Sequence, residues 1–320
     1  MKNKKVKLGI IVMAAVTLFT ATAFAANSNN GGYEVFKEVM KSSQETKHFA
    51  NASFDGAFKM IDNGKEISEI TGEVKGTRED KEASGNVQFK LMGKEQDLSF
   101  YRSGETSYLV DQTNAKYYQL VNIDKDQYKK HKAIENNDGY ENHQMGKTGE
   151  AFMDYFVGDL KYQFELSENT DGTKSITLDL DQNEIPVPIN LLMGIAADGS
   201  DRSDVDCEDG MDLAQKELLM GKMPFLKIFS DLGKDIPKLK EDIKLTGIVL
   251  KLNVDENNQI KSFDAKINTT GKDANGEYHE ISLLGSLNIK DINSTTVDKF
   301  SPDGKSIETI DAEDFKCSRD

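Results

Sequence analysis

Cysteine is scarce in this chain of 320 residues, which contains only two. Two cysteines are too few for the disulfide-dense scaffold of a small secreted domain. Basic residues are outnumbered as well, because 40 Lys and Arg stand against 55 Asp and Glu and leave a formal net charge of −15. A protein that binds nucleic-acid phosphates needs Lys and Arg to displace counterions. The composition therefore argues against both classes of protein.

Catalytic signatures are missing too. The histidines form no HExxH pair, no GxSxG or SxxK motif occurs, and no glycine-rich loop has the strand–loop–helix context of a phosphate site. Two carboxylates could form a pair of the glycosidase type, but nothing in the sequence singles out two of the many. We therefore expect a protein that is not an enzyme.

Long hydrophobic runs are confined to the N-terminus. Four lysines within residues 2–7 precede an apolar run at 8–23, and Ala23-Phe24-Ala25 matches the small-x-small site of signal peptidase. The run is shorter than the roughly 20 residues that span a bilayer. We expect residues 1–25 to be a signal peptide and 26–32 a flexible leader, so that the protein is exported to the extracellular space or cell envelope. An uncut anchor is the alternative.

Alternation of apolar and polar residues with a period of two dominates the rest of the chain, as in residues 87–91 (VQFKL). About six such segments lie between residues 54 and 120, two between 160 and 180, and three between 248 and 289, separated by turn residues. Short strands joined in this way predict an antiparallel meander with one apolar and one wet face.

Helical spacing of apolar residues marks three further segments: residues 33–47, a short stretch after Thr148, and the region 185–240. No interior linker interrupts the pattern. The sequence therefore predicts one α+β domain over residues 33–296, with a helical insert at about 185–240 and a polar C-terminal tail at 297–320.

The order of these elements, with the strand texture of residues 106–111 (TSYLVD) and 116–120 (KYYQL), resembles the superfamily typified by the periplasmic lipoprotein carrier LolA and the mycobacterial LppX-type lipoproteins. The resemblance covers residues 33 to about 292. It implies a highly curved antiparallel sheet of about eleven strands, an unclosed barrel, with helices packed on its concave face. This chain departs from the pattern in its larger helical segment and in lacking an N-terminal lipobox cysteine. No functional residue carries over one by one.

A concave apolar surface could be filled as an ordinary core or could hold an acyl chain, and both readings stay open. We expect an exported protein that binds a hydrophobic or amphiphilic envelope ligand such as a lipid or lipopeptide. The alternative is an envelope interaction or signalling module that acts through its acidic outer surface, with a cell-envelope protein as partner. The candidate pocket residues are apolar side chains of the predicted strands and helices: Phe54, Phe58, Met60, Val87, Phe89, Leu91, Phe100, Met153, Phe156, Met193, Met220 and Met223.

An acidic segment within the insert is a candidate calcium loop, because Ca²⁺ prefers six to eight oxygen ligands. The EF-hand pattern fails there, since counting Asp204 as position one places Asp209 rather than glycine at position six. A solvated acidic loop is the alternative. The candidate ligands are Asp198, Asp201, Asp204, Asp206, Asp209 and Asp212.

The two cysteines are Cys207, in this acidic segment, and Cys317, near the C-terminus. Export to an oxidising compartment would allow them to pair, and two free thiols are the alternative. Calcium aside, we expect no cofactor, no nucleic-acid partner, and no membrane span once the signal peptide is removed.

Overall fold

The computed structural model describes residues 31–44, 49–77, 81–121, 158–187, 189–190, 213–229 and 236–311. Its longer helices are α1 (Gly31–Gln44) and α2 (Leu213–Lys222), and a 3-10 helix spans Gly158–Gln163. The strands are β1 (Asn51–Asp62), β2 (Lys65–Thr77), β3 (Glu82–Leu91), β4 (Lys94–Ser103), β5 (Thr106–Asp111), β6 (Lys116–Val121), β7 (Glu165–Glu168), β8 (Lys174–Asp181), β9 (Glu241–Val254), β10 (Ile260–Lys272), β11 (Tyr278–Lys290) and β12 (Ile307–Asp311).

All of these strands belong to one sheet with the order β12-β6-β5-β4-β3-β2-β1-β11-β10-β9-β8-β7. Every pairing is antiparallel except that of β12 with β6, which is parallel. The sheet is curled but does not close, since β12 and β7 form its two ends. The predicted fold class, a highly curved antiparallel sheet with helices on its concave face, is confirmed, with twelve strands in place of about eleven.

Two-residue turns set the register in the N-terminal half. Asn63-Gly64 joins β1 to β2 with φ of 48° and 77°, and Met92-Gly93 joins β3 to β4 with φ of 51° and 79°. Positive φ at both central residues is the type I′ geometry, whose twist matches that of paired strands. These turns therefore place the same face of neighbouring strands against the core.

Alternation along the strands builds the core on one face of the sheet. Across five strands Leu180, Ile248, Ile267, Leu283 and Met60 lie in register, and each is at most 7% exposed. We call this side the apolar face: it carries Phe54, Phe58 and Met60 on β1 and every residue in register with them. Its opposite is the outer face.

Helix α1 covers the end of the apolar face near β7 and β8. Tyr33 and Phe36 are buried and their rings lie 5.3 and 5.1 Å from that of Phe164, between centroids. Lys37 pairs with Glu34 at 2.8 Å on the same helix. The predicted helix is observed, and it begins at Gly31, within the segment expected to be a leader.

The C-terminal segment differs from the expectation of a polar tail. Ile307–Asp311 forms β12 beside β6, and Val297 and Ile310 are buried at 7% and 5% exposure. The physical reason is that a strand of 5 residues is too short to show a clear alternation of apolar and polar positions. Residues 122–157 and 191–212, which include a predicted short helix and the acidic segment, lie outside the described residues.

Candidate functional site

Seven of the predicted pocket residues lie on the apolar face, in strands β1, β3 and β4. Met60 and Leu91 are buried at 3% and 2% exposure, whereas the other five are half-buried. The strand register explains why they share a face. The residues of β1 and β3 lie in line across β2, and those of β3 and β4 are adjacent across their own pairing. The five half-buried residues are Phe54, Phe58, Val87, Phe89 and Phe100.

The helical candidates fall into two groups. Met220 on α2 is half-buried, and Met223 is buried against Tyr118, Phe225 and Ile310. Met153, Phe156 and Met193 lie outside the described residues, as do the six aspartates of the calcium prediction and both cysteines, listed above by number. Those calcium and disulfide assignments stay predictions.

Both ends of the apolar face are filled. At the β7–β10 end, Leu250, Leu252 and Val254 of β9 are at most 5% exposed beneath α1 and the 3-10 helix. At the β12 end, Tyr118 is 1% exposed and its hydroxyl donates a hydrogen bond to the carbonyl oxygen of Lys222 at 3.1 Å. Each end is therefore an ordinary core in which side chains of helices and strands interdigitate.

The middle of the apolar face, from β11 through β1 to β4, is more open. Phe54, Phe58 and Val87 are half-buried there, and Leu287 on β11 is 38% exposed. Its neighbour two strands away, Leu252 on β9, is on the same face and only 2% exposed.

The margins of this middle region are closed, since Met60 and Leu91 are buried and the Phe89 ring packs against that of Phe229 at 4.7 Å between centroids. The apolar face thus has two packed ends and an accessible apolar middle.

Four glycines cross this middle region diagonally, one on each of β11, β1, β2 and β3. Gly56 and Gly72 are direct partners. Gly285 pairs with Phe58, two residues from Gly56, and Gly85 pairs with Val74, two residues from Gly72. From one strand to the next, the glycine therefore shifts by at most two residues. The diagonal carries no side chains of its own and lies between rows of apolar side chains, although the Phe100 ring covers its last member, Gly85. We call this diagonal the glycine furrow: Gly285, Gly56, Gly72 and Gly85.

Close backbone approach explains why glycine is needed at part of the furrow. A Cβ atom at Gly72 would lie 2.7 Å from the carbonyl oxygen of Asn86, and one at Gly85 would collide with the Phe100 ring. At Gly285, by contrast, a Cβ atom would meet nothing within 4 Å in the part of the chain that the structure describes. The furrow is therefore tight towards β3 and open towards β11. Glycine in strands marks such bends and close approaches.

The outer face of β1–β4 carries charges of both signs in contact. Lys59 lies 3.0 Å from Glu66 and 2.9 Å from Glu69, and Lys90 lies 3.2 Å from Glu69. Hydrogen bonds from these two lysines hold the pKa of Glu69 below its usual value. Lys290 reaches Asp55 at 2.6 Å. Exposed pairs of this kind contribute only about 0–1 kcal/mol each, so they mark solvated surface rather than a stabilising network.

A polar pair is buried at the edge of the apolar face, where apolar residues would be expected. Gln96 and Asp111 are 1% and 0% exposed, and Gln96 Nε2 donates to Asp111 Oδ1 at 2.8 Å. The same carboxylate accepts hydrogen bonds from the backbone and side-chain nitrogens of Asn114 at 2.9 and 2.8 Å. Asp111 therefore closes the β5–β6 turn, a structural role.

Sequence reasoning missed one side-chain cluster and the furrow. Asp273, Glu277 and His279, at the β10–β11 turn, each bring one potential metal-ligand atom within 4.8 Å of the others. Nothing in their spacing matches a known motif. The glycines, however, were visible as members of the alternating pattern, since Gly56, Gly72 and Gly285 each occupy an apolar phase of their strand. Glycine at such positions was the available signal.

No described helix combines the length and apolar character needed to cross a membrane. Neither a family profile nor a curated protein sequence matches the chain. Solved structures that are similar include a DUF1329 family protein from Desulfovibrio piger, at 8% identity over 87% of this chain and 96% of that one, with a TM-score of 0.19. Lipovitellin, solved for its lipid–protein interactions, shares 8% identity over 78% of this chain and 26% of its own, with a TM-score of 0.23.

TM-scores this low carry no argument about what the chain binds. The curved, unclosed sheet that the LolA and LppX resemblance implied is observed. Membership of that superfamily itself stays a prediction.

Proposed function

We propose that this protein is a non-enzymatic, exported protein that binds a hydrophobic or amphiphilic envelope ligand, a lipid or lipopeptide, along the glycine furrow. The observation that carries the proposal is the accessible apolar middle of the concave face, set between two packed ends. Ligand sites are typically concave and mostly apolar. The signal-peptide pattern of residues 1–25 supports export to the envelope.

The furrow suits an acyl chain because its floor is backbone and its walls are apolar side chains. Phe54 and Val74 lie on one side of the central glycine pair, and Phe58 and Ile70 on the other. A chain laid across the strands would cover these half-buried side chains. Each buried methylene contributes about 0.8 kcal/mol.

The free energy available from apolar burial favours a ligand with more than one acyl chain. Ten methylenes gain about 8 kcal/mol by that measure, whereas association costs roughly 4–15 kcal/mol in lost freedom and ordering. A single fatty acid is therefore expected to bind weakly. A two-chain lipid or a lipopeptide gains more apolar burial and bears the association cost once.

Filling the furrow at its open end tests the proposal. Gly285→Val adds three carbon atoms, the first at a Cβ position with no described atom within 4 Å. It should therefore remove the room for about three ligand methylenes, or about 2.4 kcal/mol. We expect binding of fluorescent phosphatidylglycerol to weaken by about 50-fold, and the one-chain lyso form to bind more weakly than the two-chain form. Fluorescence titration measures both.

Ser286→Val is the matched control, because it adds a valine on the outer face at the next residue of the same strand. It should leave binding unchanged. Failure of the wild-type protein to bind either probe, or equal weakening by both variants at unchanged melting temperature, would contradict the proposal.

The alternative of an interaction module acting through an acidic outer surface receives no support from the described sheet. On β1–β4 the lysines and carboxylates of the outer face contact each other, so that face presents mixed charge rather than a field of one sign. We therefore place the function on the concave side.

A further inference from the structure

Two hairpin turns from opposite halves of the chain pack against each other at one end of the sheet. The β1–β2 turn donates from Asn63 N to the carbonyl oxygen of Glu280 at 2.9 Å, and Glu280 N donates back to Asn63 Oδ1 at 2.9 Å. Asn63 Nδ2 also donates to the carbonyl oxygen of Tyr278 at 3.2 Å. These bonds hold the last residue of β1, Asp62, beside His279.

His279 is 92% buried, being 8% exposed, and only one of its ring nitrogens has a partner among the described residues. Nδ1 lies 3.1 and 3.0 Å from the two carboxylate oxygens of Asp62. A carboxylate in that place favours the proton on Nδ1 and leaves the lone pair on Nε2. His279 and the two carboxylates of Asp273 and Glu277 can each supply one ligand atom within 4.8 Å of the others.

The neighbouring β9–β10 turn shows which of these residues the turn itself needs. Asp255 accepts from Asn257 N and Gln259 N at 2.9 and 2.8 Å, just as Asp273 accepts from Asn275 N and Glu277 N at 2.8 and 2.9 Å. The aspartate therefore belongs to the turn in both hairpins.

The side chains of the other two residues of the cluster are not needed by the turn, although the backbone of Glu277 takes part in it. The positions that correspond to Glu277 and His279 are Gln259 and Lys261, and Lys261 lies 3.8 Å from Asp255 as a simple counter-charge. A glutamate and a buried, half-partnered histidine are thus additions that the turn geometry does not require.

We propose that His279, Asp273 and Glu277 bind a divalent transition-metal ion, with Zn²⁺ the best fit, and that Asp62 is the positioning residue that orients the imidazole. Imidazole suits zinc and its neighbours, whereas calcium and magnesium favour all-oxygen sites. A metal-binding histidine almost always donates its other N–H to a carboxylate or carbonyl, and Asp62 occupies that place. Three protein ligands leave a fourth position for water.

Isothermal titration of the metal-stripped protein with Zn²⁺ tests the site. We expect one strong site per chain, weakened about tenfold or more by Glu277→Gln and lost in His279→Gln. Asp62→Asn should weaken it about 10- to 100-fold, as is typical for such outer partners. Glu277 is exposed, so its variant is expected to fold even if the histidine variant does not.

Glu256→Gln, an exposed acid in the sibling turn, is the matched control and should leave affinity unchanged. A zinc-dependent shift of the His279 Nε2 resonance, present in the wild type and reduced in Asp62→Asn, separates metal binding from a merely structural role. Zinc binding that is unaltered by Glu277→Gln and His279→Gln would place the ions elsewhere and overturn the proposal. So would the absence of binding by the wild-type protein.

Discussion

Single glycines differ in what a substitution would do, although all four lie in the same furrow. A Cβ atom at Gly85 would meet the Phe100 ring and lie 2.7 Å from the carbonyl oxygen of Glu73, which belongs to the backbone and cannot rotate away. We expect Gly85→Ala to lower the free energy of unfolding by about 1–3 kcal/mol, the usual effect of overpacking. Gly285→Ala should instead raise it by about 0.4–1 kcal/mol through a less flexible unfolded chain. Urea denaturation measures both, and equal losses would contradict the assignment of an open end.

Tyr118 is the residue at which burial should be visible in a titration. Burial, followed by the charges of Asp111 and Glu308, raises its pKa to about 12. The folded protein therefore holds this proton more tightly than the unfolded chain, in which tyrosine ionises near pH 10. The stability that this group contributes is complete below about pH 10 and is lost as the pH rises towards about 12.

We expect the phenolate absorbance of the folded protein to show a late component that Tyr118→Phe removes. The same change should lower the free energy of unfolding by about 0.5–1.5 kcal/mol at neutral pH, because the bond to the Lys222 carbonyl is lost. Tyr162→Phe, at a side chain that is 61% exposed, should leave the late component in place. Its disappearance in both variants would argue against the buried position.

Among the secondary-structure elements, the short strand β12 is expected to contribute strongly to stability. It pairs with β6, and Ile310 joins Tyr118, Met223 and Phe225 in the packed end of the apolar face. Ile310→Ala should therefore lower the free energy of unfolding by about 2–5 kcal/mol, as for other buried aliphatic truncations. Ile307→Ala, at a half-buried position of the same strand, should cost less. Chemical denaturation measures both, and a neutral Ile310 variant would show that the segment behaves as a tail.

Elements whose pattern is visible in the local sequence could be predicted, whereas features that depend on the pairing of remote strands could not. The alternation of β1–β6 and β8–β11 is local and was read directly, as was the apolar stripe of α1. β12 was not, because a strand of 5 residues is too short to show a clear alternation. For the furrow, the glycine positions were visible, but their alignment into a diagonal depends on the register between β11 and β1, which sequence does not supply. The Asp62–His279 contact depends on that same pairing.

At the scale of the whole described sheet, two strand meanders, β1–β6 and β7–β11, meet at a seam between β1 and β11, and β12 is added beside β6. Asp55 and Asn288 face each other across the seam and are 233 positions apart in the chain. Every other antiparallel pairing among the described strands joins strands that follow one another in the sequence. The proposed lipid furrow and the proposed metal cluster both cross or border this seam, so both exist only once the two halves have met.

That seam has a consequence for how the protein comes to be folded. Contacts between remote residues are slow to form, because the entropic cost of closing a long loop precedes the stabilisation that the contacts provide. During synthesis the first meander would be complete, with β1 as an unpaired and partly apolar edge, long before β11 emerged. Unpaired edges of this kind are prone to aggregation. We expect folding to be limited by the arrival of the C-terminal third, and the newly made chain to depend on remaining unfolded, or on a chaperone, until then.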